Sequence, residues 1–180
     1  MDTYSRLNRP IAVVPYCPQW PLLYEEEKCR ISAALGNRIE QIEHFGSTAI
    51  PGLAAKPVID IMIGVQRLDQ AEECISLLEV LSYAYVPELE AELPDRRFLW
   101  KETASTQRYH IHLTQVHGPL WENPIAFRDY LHEHPEEAEH YGQLKADLAA
   151  QCDSDIGSYI HGKTAFVQQI LDKAKDTYHV

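Results

Sequence analysis

The stretch from His44 to Ile61 constrains this chain more than any other part of it. Two short apolar-leaning segments, Arg38 to Phe45 and Pro57 to Val65, meet across a turn of small residues, and the second carries a single acid inside an otherwise apolar run. A lone carboxylate among Val58, Ile59, Ile61, Met62 and Ile63 is costly to bury without a metal, a cation or hydrogen-bond donors. Asp60 therefore needs a partner. In the turn, Gly46 lets the backbone approach a ligand closely, while the hydroxyls of Ser47 and Thr48 and the free amides of a helix start can hold an anion. The expectation is a turn at the start of a helix, facing a cleft that Asp60 also reaches. The alternative is a tight structural turn.

The rest of the chain supplies strands and helices around this pair. Pro15 and Pro18 mark residues 1 to 18 as a segment that wraps across the surface, and Pro21 suits a helix start. Leu22, Leu23, Ile31 and Leu35 fall on helical spacing, with Gly36 and Asn37 as the stop. Gln70 to Leu81 reads as an amphipathic helix with Ala71, Cys74, Leu77, Leu78 and Leu81 inward. Extended segments follow at Tyr83 to Val86, Arg96 to Lys101 and Gln107 to Val116. Beyond Pro119 the pattern turns helical, near Pro124 to Glu133, Pro135 to Cys152 and Gly157 to Tyr178. His134-Pro135 sets the first boundary, and Asp153, Ser154 and Asp155 offer caps for the last helix. The expected class is α+β: a mixed sheet with flanking helices and a C-terminal helical section, residues 1–180 forming one domain.

Charge and composition exclude several functions. A formal charge of −11 over 180 residues argues against a broad nucleic-acid surface, which needs clustered Lys and Arg, but leaves room for a local cationic pocket. Cys17, Cys29, Cys74 and Cys152 form no CxxC pair, as in reduced cytoplasmic proteins. No apolar run approaches the roughly 20 residues of a membrane helix, so a cytoplasmic protein with no membrane partner is expected. No feature fixes an oligomeric state.

In the third extended segment His110, His112 and Thr114 share one face, and Tyr109, Ile111 and Leu113 the other. Two imidazoles on one strand face can join a carboxylate in holding a metal, or act as acid and base near neutral pH. They can equally be hydrogen-bonded sheet residues near solvent. His44 lies next to the Gly-Ser turn; the remaining histidines read as surface residues.

Five blocks in order resemble the GrpB family, an uncharacterised group within the nucleotidyltransferase superfamily. They are Val13 to Trp20 with the acidic helix of Glu25, Glu26 and Glu27; the Gly-Ser-Thr to Lys-Pro-Val-Ile-Asp segment; Arg96-Arg97-Phe98 with Arg108 to Leu113; Phe127 to Leu131; and Tyr159 with Lys163 and Phe166. The resemblance implies a nucleotidyltransferase-like mixed sheet and metal-dependent nucleotidyl transfer to an unidentified acceptor. In that scheme Gly46, Ser47 and Thr48 hold phosphate, Asp60 holds Mg2+ or Mn2+, and His110 and His112 assist the chemistry. Lys56, Arg97, Arg108 and Lys163 are expected to converge on a nucleotide or another phosphate-bearing small molecule, Lys163 sharing a helix face with Tyr159. Arg128 and Lys145 lie in the same blocks, but the alternating charges of Glu136 to Asp147 suit an exposed helix. One departure stands out: the superfamily's second acid, two residues after the first, is Met62 here. That substitution, and the fusion of GrpB-like domains to dephospho-coenzyme A kinases in some bacteria, favours a non-catalytic nucleotide- or phosphometabolite-binding helper as the alternative. A small metal-dependent hydrolase using Asp60, His110 and His112 is the third reading.

Overall fold

The computed structural model describes residues 12–152 and 155–178. Its elements in chain order are α1 (Trp20–Leu35), β1 (Gln41–Phe45), β2 (Val58–Val65), α2 (Ala71–Val80), β3 (Ala84–Tyr85), β4 (Arg96–Glu102), β5 (Arg108–Gln115), α3 (Pro119–Glu133), α4 (Pro135–Cys152) and α5 (Ile156–Tyr178). The sheet is mixed, in the order β1-β2-β5-β4-β3. Only the central β2·β5 pair is parallel; the other three pairs are antiparallel. The α+β class read from the sequence is therefore the observed one.

Alternation along β2 and β5 builds two unlike faces. Ile59, Ile61 and Ile63 stand beside Tyr109, Ile111 and Leu113, all buried, and pack under α1 and α2 through Ile31, Leu35, Cys74 and Leu78. The opposite face carries Asp60 and Met62 beside His110 and His112. Helix α3 covers only one end of this second face. Met62, Val116 and Trp121 cluster there, and a Cβ on Gly64 would lie 2.4 Å from Val116 and 2.8 Å from Trp121. The Asp60 end is left to α4 and α5, whose Tyr141 and Ile170 join Ile50, Leu53 and Leu131 in a separate cluster.

Boundaries differ from the sequence reading at a few ends. Helix α3 begins at Pro119, five residues before the expected Pro124, because a proline also fits the first turn there and the helix runs on through Pro124 without its amide. A 3-10 turn, Gly36–Arg38, takes the start of the expected first strand. Of the N-terminal segment, residues 1–11 lie outside the described residues, while Val14 pairs with Ala55 through two 2.9 Å backbone bonds. Asp155 caps α5 by accepting from the Ser158 amide at 3.1 Å; Asp153 and Ser154 lie outside the described residues.

Candidate functional site

The parallel register sets Asp60 directly opposite His110, with His112 two residues further along the same face. Asp60 Oδ1 lies 3.4 Å from His110 Nδ1 and 3.8 Å from His112 Nε2, and all three side chains are partly exposed. Two ligands at about 2.1 Å from one ion stand roughly 3.0–3.4 Å apart, so small side-chain movements bring this trio to ligating distance. The donor set of two imidazoles and one carboxylate fits a divalent transition ion. Two imidazoles depart from the all-oxygen shell that Mg2+ prefers. Burial raises the Asp60 pKa, but the polar N–H groups and charge of the nearby His110 and His112 outweigh it and hold the carboxyl below the usual range. Burial lowers the pKa of His112, against the pull of Asp60.

Gly46 precedes a 3-10 turn, Ser47–Ala49, rather than a full helix. Its φ of 70° and ψ of −173° are open essentially to glycine alone, and a Cβ there would lie 2.7 Å from Asp60 Oδ2. The missing side chain is what lets the turn lie against the acid. Ser47 is half-buried, close enough to the Tyr141 phenol to lower that phenol's pKa against burial. Thr48 is buried and spoken for: Oγ1 donates to the Val58 carbonyl at 3.0 Å and therefore accepts from His44 Nε2, also at 3.0 Å. His44 stacks on Tyr24 on the α1 face, and burial pushes its pKa down to about 4. Neither Thr48's hydroxyl nor His44 is open to a ligand, because both are consumed in joining the turn to the core.

The expected cations divide. Lys56 and Lys163 converge: their Nζ atoms lie 4.7 and 4.5 Å from the centre of the buried Tyr159 ring. Burial and the Lys163 charge bring Lys56 down to about 8, with Asp60 opposing; burial likewise lowers Lys163 against Asp60. Arg108 has the same strand parity as His110 and His112 and adds to the field at Lys56. Arg97 goes elsewhere. It stands opposite Leu113 on the core face, pairs with Glu90 at 3.1 Å and donates to the Pro94 carbonyl at 2.8 Å, because odd positions of β4 point away from Asp60. Arg128 clamps the edge of the sheet, donating to Glu43 at 2.8 Å and to the His44 carbonyl at 2.7 Å.

Two groups that the sequence reading passed over belong to this face. Arg96, one residue before Arg97, has the parity of Phe98, which stands opposite His112, and its Nη1 lies 3.2 Å from His112 Nδ1. Lys145, expected on an exposed helix, is only 2% exposed. It donates to the Ala54 carbonyl at 2.5 Å and lies 4.7 Å from the Tyr141 ring centre, and burial with the nearby Lys163 charge brings it down to about 7. The local signals are weak: Leu99, between Phe98 and Trp100, is equally buried on the other face of β4, and Ala138, Tyr141 and Lys145 recur at helical spacing among acidic neighbours.

Taken together, the molecule is a mixed-sheet protein with a part-exposed carboxylate–histidine group and a pair of lysines packed on Tyr159. Comparison with known proteins gives that class its family. The family described as GrpB protein matches residues 10–173, and the chain belongs to it. It is 31% identical over 165 residues to glutamate-rich protein GrpB of Alkalihalophilus pseudofirmus, covering 91% of this chain and 95% of that protein. It is 34% identical over 168 residues to the UPF0157 protein YqkA of Bacillus subtilis, covering 93% of this chain but only 48% of YqkA, and 30% identical to a dephospho-CoA kinase of Mycolicibacterium paratuberculosis, covering 98% of this chain and 49% of that protein. The chain thus spans about half the length of some relatives. Among solved structures, the conserved protein GrpB from Enterococcus faecalis superposes with a TM-score of 0.82 at 33% identity, covering 94% of this chain and 100% of that one. No helix among the described residues is long and apolar enough to cross a membrane.

Proposed function

We propose that the surface around Asp60 forms a cleft in which this protein binds a nucleotide or related phosphate compound and, with a divalent ion, transfers the nucleotidyl group to an acceptor. The observation that carries this reading is the juxtaposition of the Gly46-Ser47 turn with Asp60, where a Cβ would collide with the carboxylate, beside the Lys56–Tyr159–Lys163 cluster. Asp60, His110 and His112 would hold the ion, which supplies charge neutralisation for phosphate oxygens. Lys56, Lys163 and Arg108 would draw the anion in, and Ser47, with Gly46 beside it, would orient it. Lys145 would add charge from below once an anion restores its proton.

A second reading is favoured by one observation. Met62 takes the place of a second strand acid and is buried against Trp121 and Val116, which leaves Asp60 as the one carboxylate of the metal group among the described residues. Under that reading the same cleft binds its phosphate ligand without turnover, as a helper domain of the kind the dephospho-CoA kinase match invites. Incubation with nucleoside triphosphates, Mn2+ or Mg2+ and candidate acceptors separates the two. Pyrophosphate with a nucleotidylated acceptor supports transfer; metal-dependent binding without products supports the helper; release of inorganic phosphate supports hydrolysis. Loss of the effect in Asp60→Asn ties any of them to this cleft.

A further inference from the structure

An arginine side chain donates hydrogen bonds and never accepts them. The 3.2 Å contact between Arg96 Nη1 and His112 Nδ1 therefore has one sense, with Nδ1 holding its lone pair toward Arg96. A neutral imidazole accepting at Nδ1 bears its proton on Nε2. Nε2 is the nitrogen that faces Asp60 Oδ1 at 3.8 Å. As the contact stands, His112 meets Asp60 as a proton donor, whereas a metal would need the lone pair at that same nitrogen.

Arg96 itself is incompletely used. Its Nε is buried with no hydrogen-bond partner among the described residues, and its guanidinium carbon lies 5.5 Å from the centre of the Phe98 ring. A half-satisfied guanidinium in an apolar wall is well suited to an incoming oxyanion, which can take two of its N–H groups at once. Whatever takes Arg96 also releases His112 Nδ1.

We propose that Arg96 is the positioning residue that sets the role of His112: while it donates to Nδ1 the imidazole serves Asp60 as a donor, and a phosphate-type oxyanion drawn to Arg96 frees His112 to present its Nε2 lone pair to a metal. The metal half rests on the preceding reading of the site; the tautomer half does not. Anion and metal are thereby coupled through one side chain, and each favours the other.

Long-range 1H–15N spectra of the histidine rings in the metal-free full chain, at about pH 8 where imidazoles are neutral, read the tautomer directly. The expected result is an Nε2–H pattern for His112 that moves toward Nδ1–H when sulfate is added, and no sulfate response in Arg96→Met. An Nδ1–H pattern in sulfate-free wild type, or a sulfate response that survives in Arg96→Met, overturns the assignment. Mn2+ titration followed by electron paramagnetic resonance adds the metal half. Arg96→Met should bind Mn2+ about tenfold more tightly than wild type, the opposite of what structural damage does, and sulfate should tighten binding only in wild type. Weaker binding in Arg96→Met counts against the coupling. No binding in either protein brings down the metal reading, while the ring spectra still decide what Arg96 does.

Discussion

Two carboxylates, Glu27 on the core face of the sheet and Asp60 on the other, are treated in opposite ways. Glu27, from α1 on the core face, is fully buried and accepts from Tyr83 Oη at 3.0 Å, from Arg30 at 3.1 Å and from Lys101. Asp60, on the other face, is part-exposed, and its histidine neighbours stand at 3.4 and 3.8 Å, beyond good hydrogen-bond length. The first acid is finished by the fold; the second is left open for something to complete. The comparison shows that the degree of satisfaction, more than burial or charge, separates an acid that holds a structure together from one available for chemistry. The two are also linked, because a slip of one residue in the β2·β5 register would send Ile59, Ile61 and Ile63 out and Asp60 in. The apolar face thus pins the geometry of the polar one.

Exchanging the charge on each acid tests the contrast most severely. Glu27→Gln leaves the half-buried Lys101 opposite an amide and should cost about 3 kcal/mol in urea unfolding. Asp60→Asn should cost clearly less and remove metal-dependent ligand binding. Equal losses of stability would erase the distinction between the two faces.

A second test uses acid. His44 sits on the core face with its folded pKa near 4, against the ordinary 6.5. The folded protein therefore binds fewer protons than the unfolded chain between those values. The stability that the neutral ring provides is complete above pH 6.5 and falls away as pH drops toward 4. A shift of that size corresponds to about 3 kcal/mol. His44→Gln, whose amide can still donate to Thr48, should flatten the decline, measured as unfolding free energy at a series of pH values. An unchanged slope would place the acid sensitivity elsewhere.

Much of this was legible beforehand, for reasons that can be named. The alternation in β5 put His110 and His112 on one face, and the apolar run around Asp60 marked the second central strand, because a period of two leaves little freedom once one face is core. The assignment of Arg97 in place of Arg96 came from knowing the block without knowing the parity of β4, which follows from pairing with β5 and so from residues far along the chain. Lys145 was missed for a different reason. Acidic neighbours such as Glu137, Glu139 and Asp147 made its helix look solvated, and only the packing of Tyr141 against Phe127 and Phe166 shows which stripe turns inward. Thr48 looked like an anion ligand because nothing local reveals that Val58 and His44 claim its hydroxyl.

Gly46 offers a sharper probe, because it touches the open acid without belonging to it. Gly46→Ala forces a Cβ into a conformation reserved for glycine and against Asp60, and should cost about 2 kcal/mol. If the turn serves the site, ligand affinity should fall further than stability alone explains, measured by calorimetry at a temperature where the variant remains folded. A variant that is destabilised yet binds normally would make the turn purely structural.

The smallest expected effect on stability is a gain. Lys145 is buried like Glu27, but among the described residues it meets the Ala54 carbonyl, the Tyr141 ring and the charge of Lys163 rather than an acid. Its folded pKa of about 7 lies below the usual 10.5, so at neutral pH the unfolded chain holds the proton more tightly and the fold bears the difference. That penalty is greatest at or below pH 7 and disappears as pH rises toward 10.5. Lys145→Met, similar in length and apolar, should therefore stabilise the protein by about 1 kcal/mol at neutral pH, with the advantage shrinking in alkali. Its cost should appear in binding. An anion in the cleft raises the lysine's pKa, so pyrophosphate binding to wild type near pH 8 should take up protons, detectable by calorimetry in buffers of different ionisation enthalpy. The methionine variant should bind more weakly and take up fewer. Tighter folding with unchanged anion affinity and proton uptake would show that Lys145 is a structural lysine, and the anion would then be met by Lys56, Lys163, Arg108 and Arg96 instead.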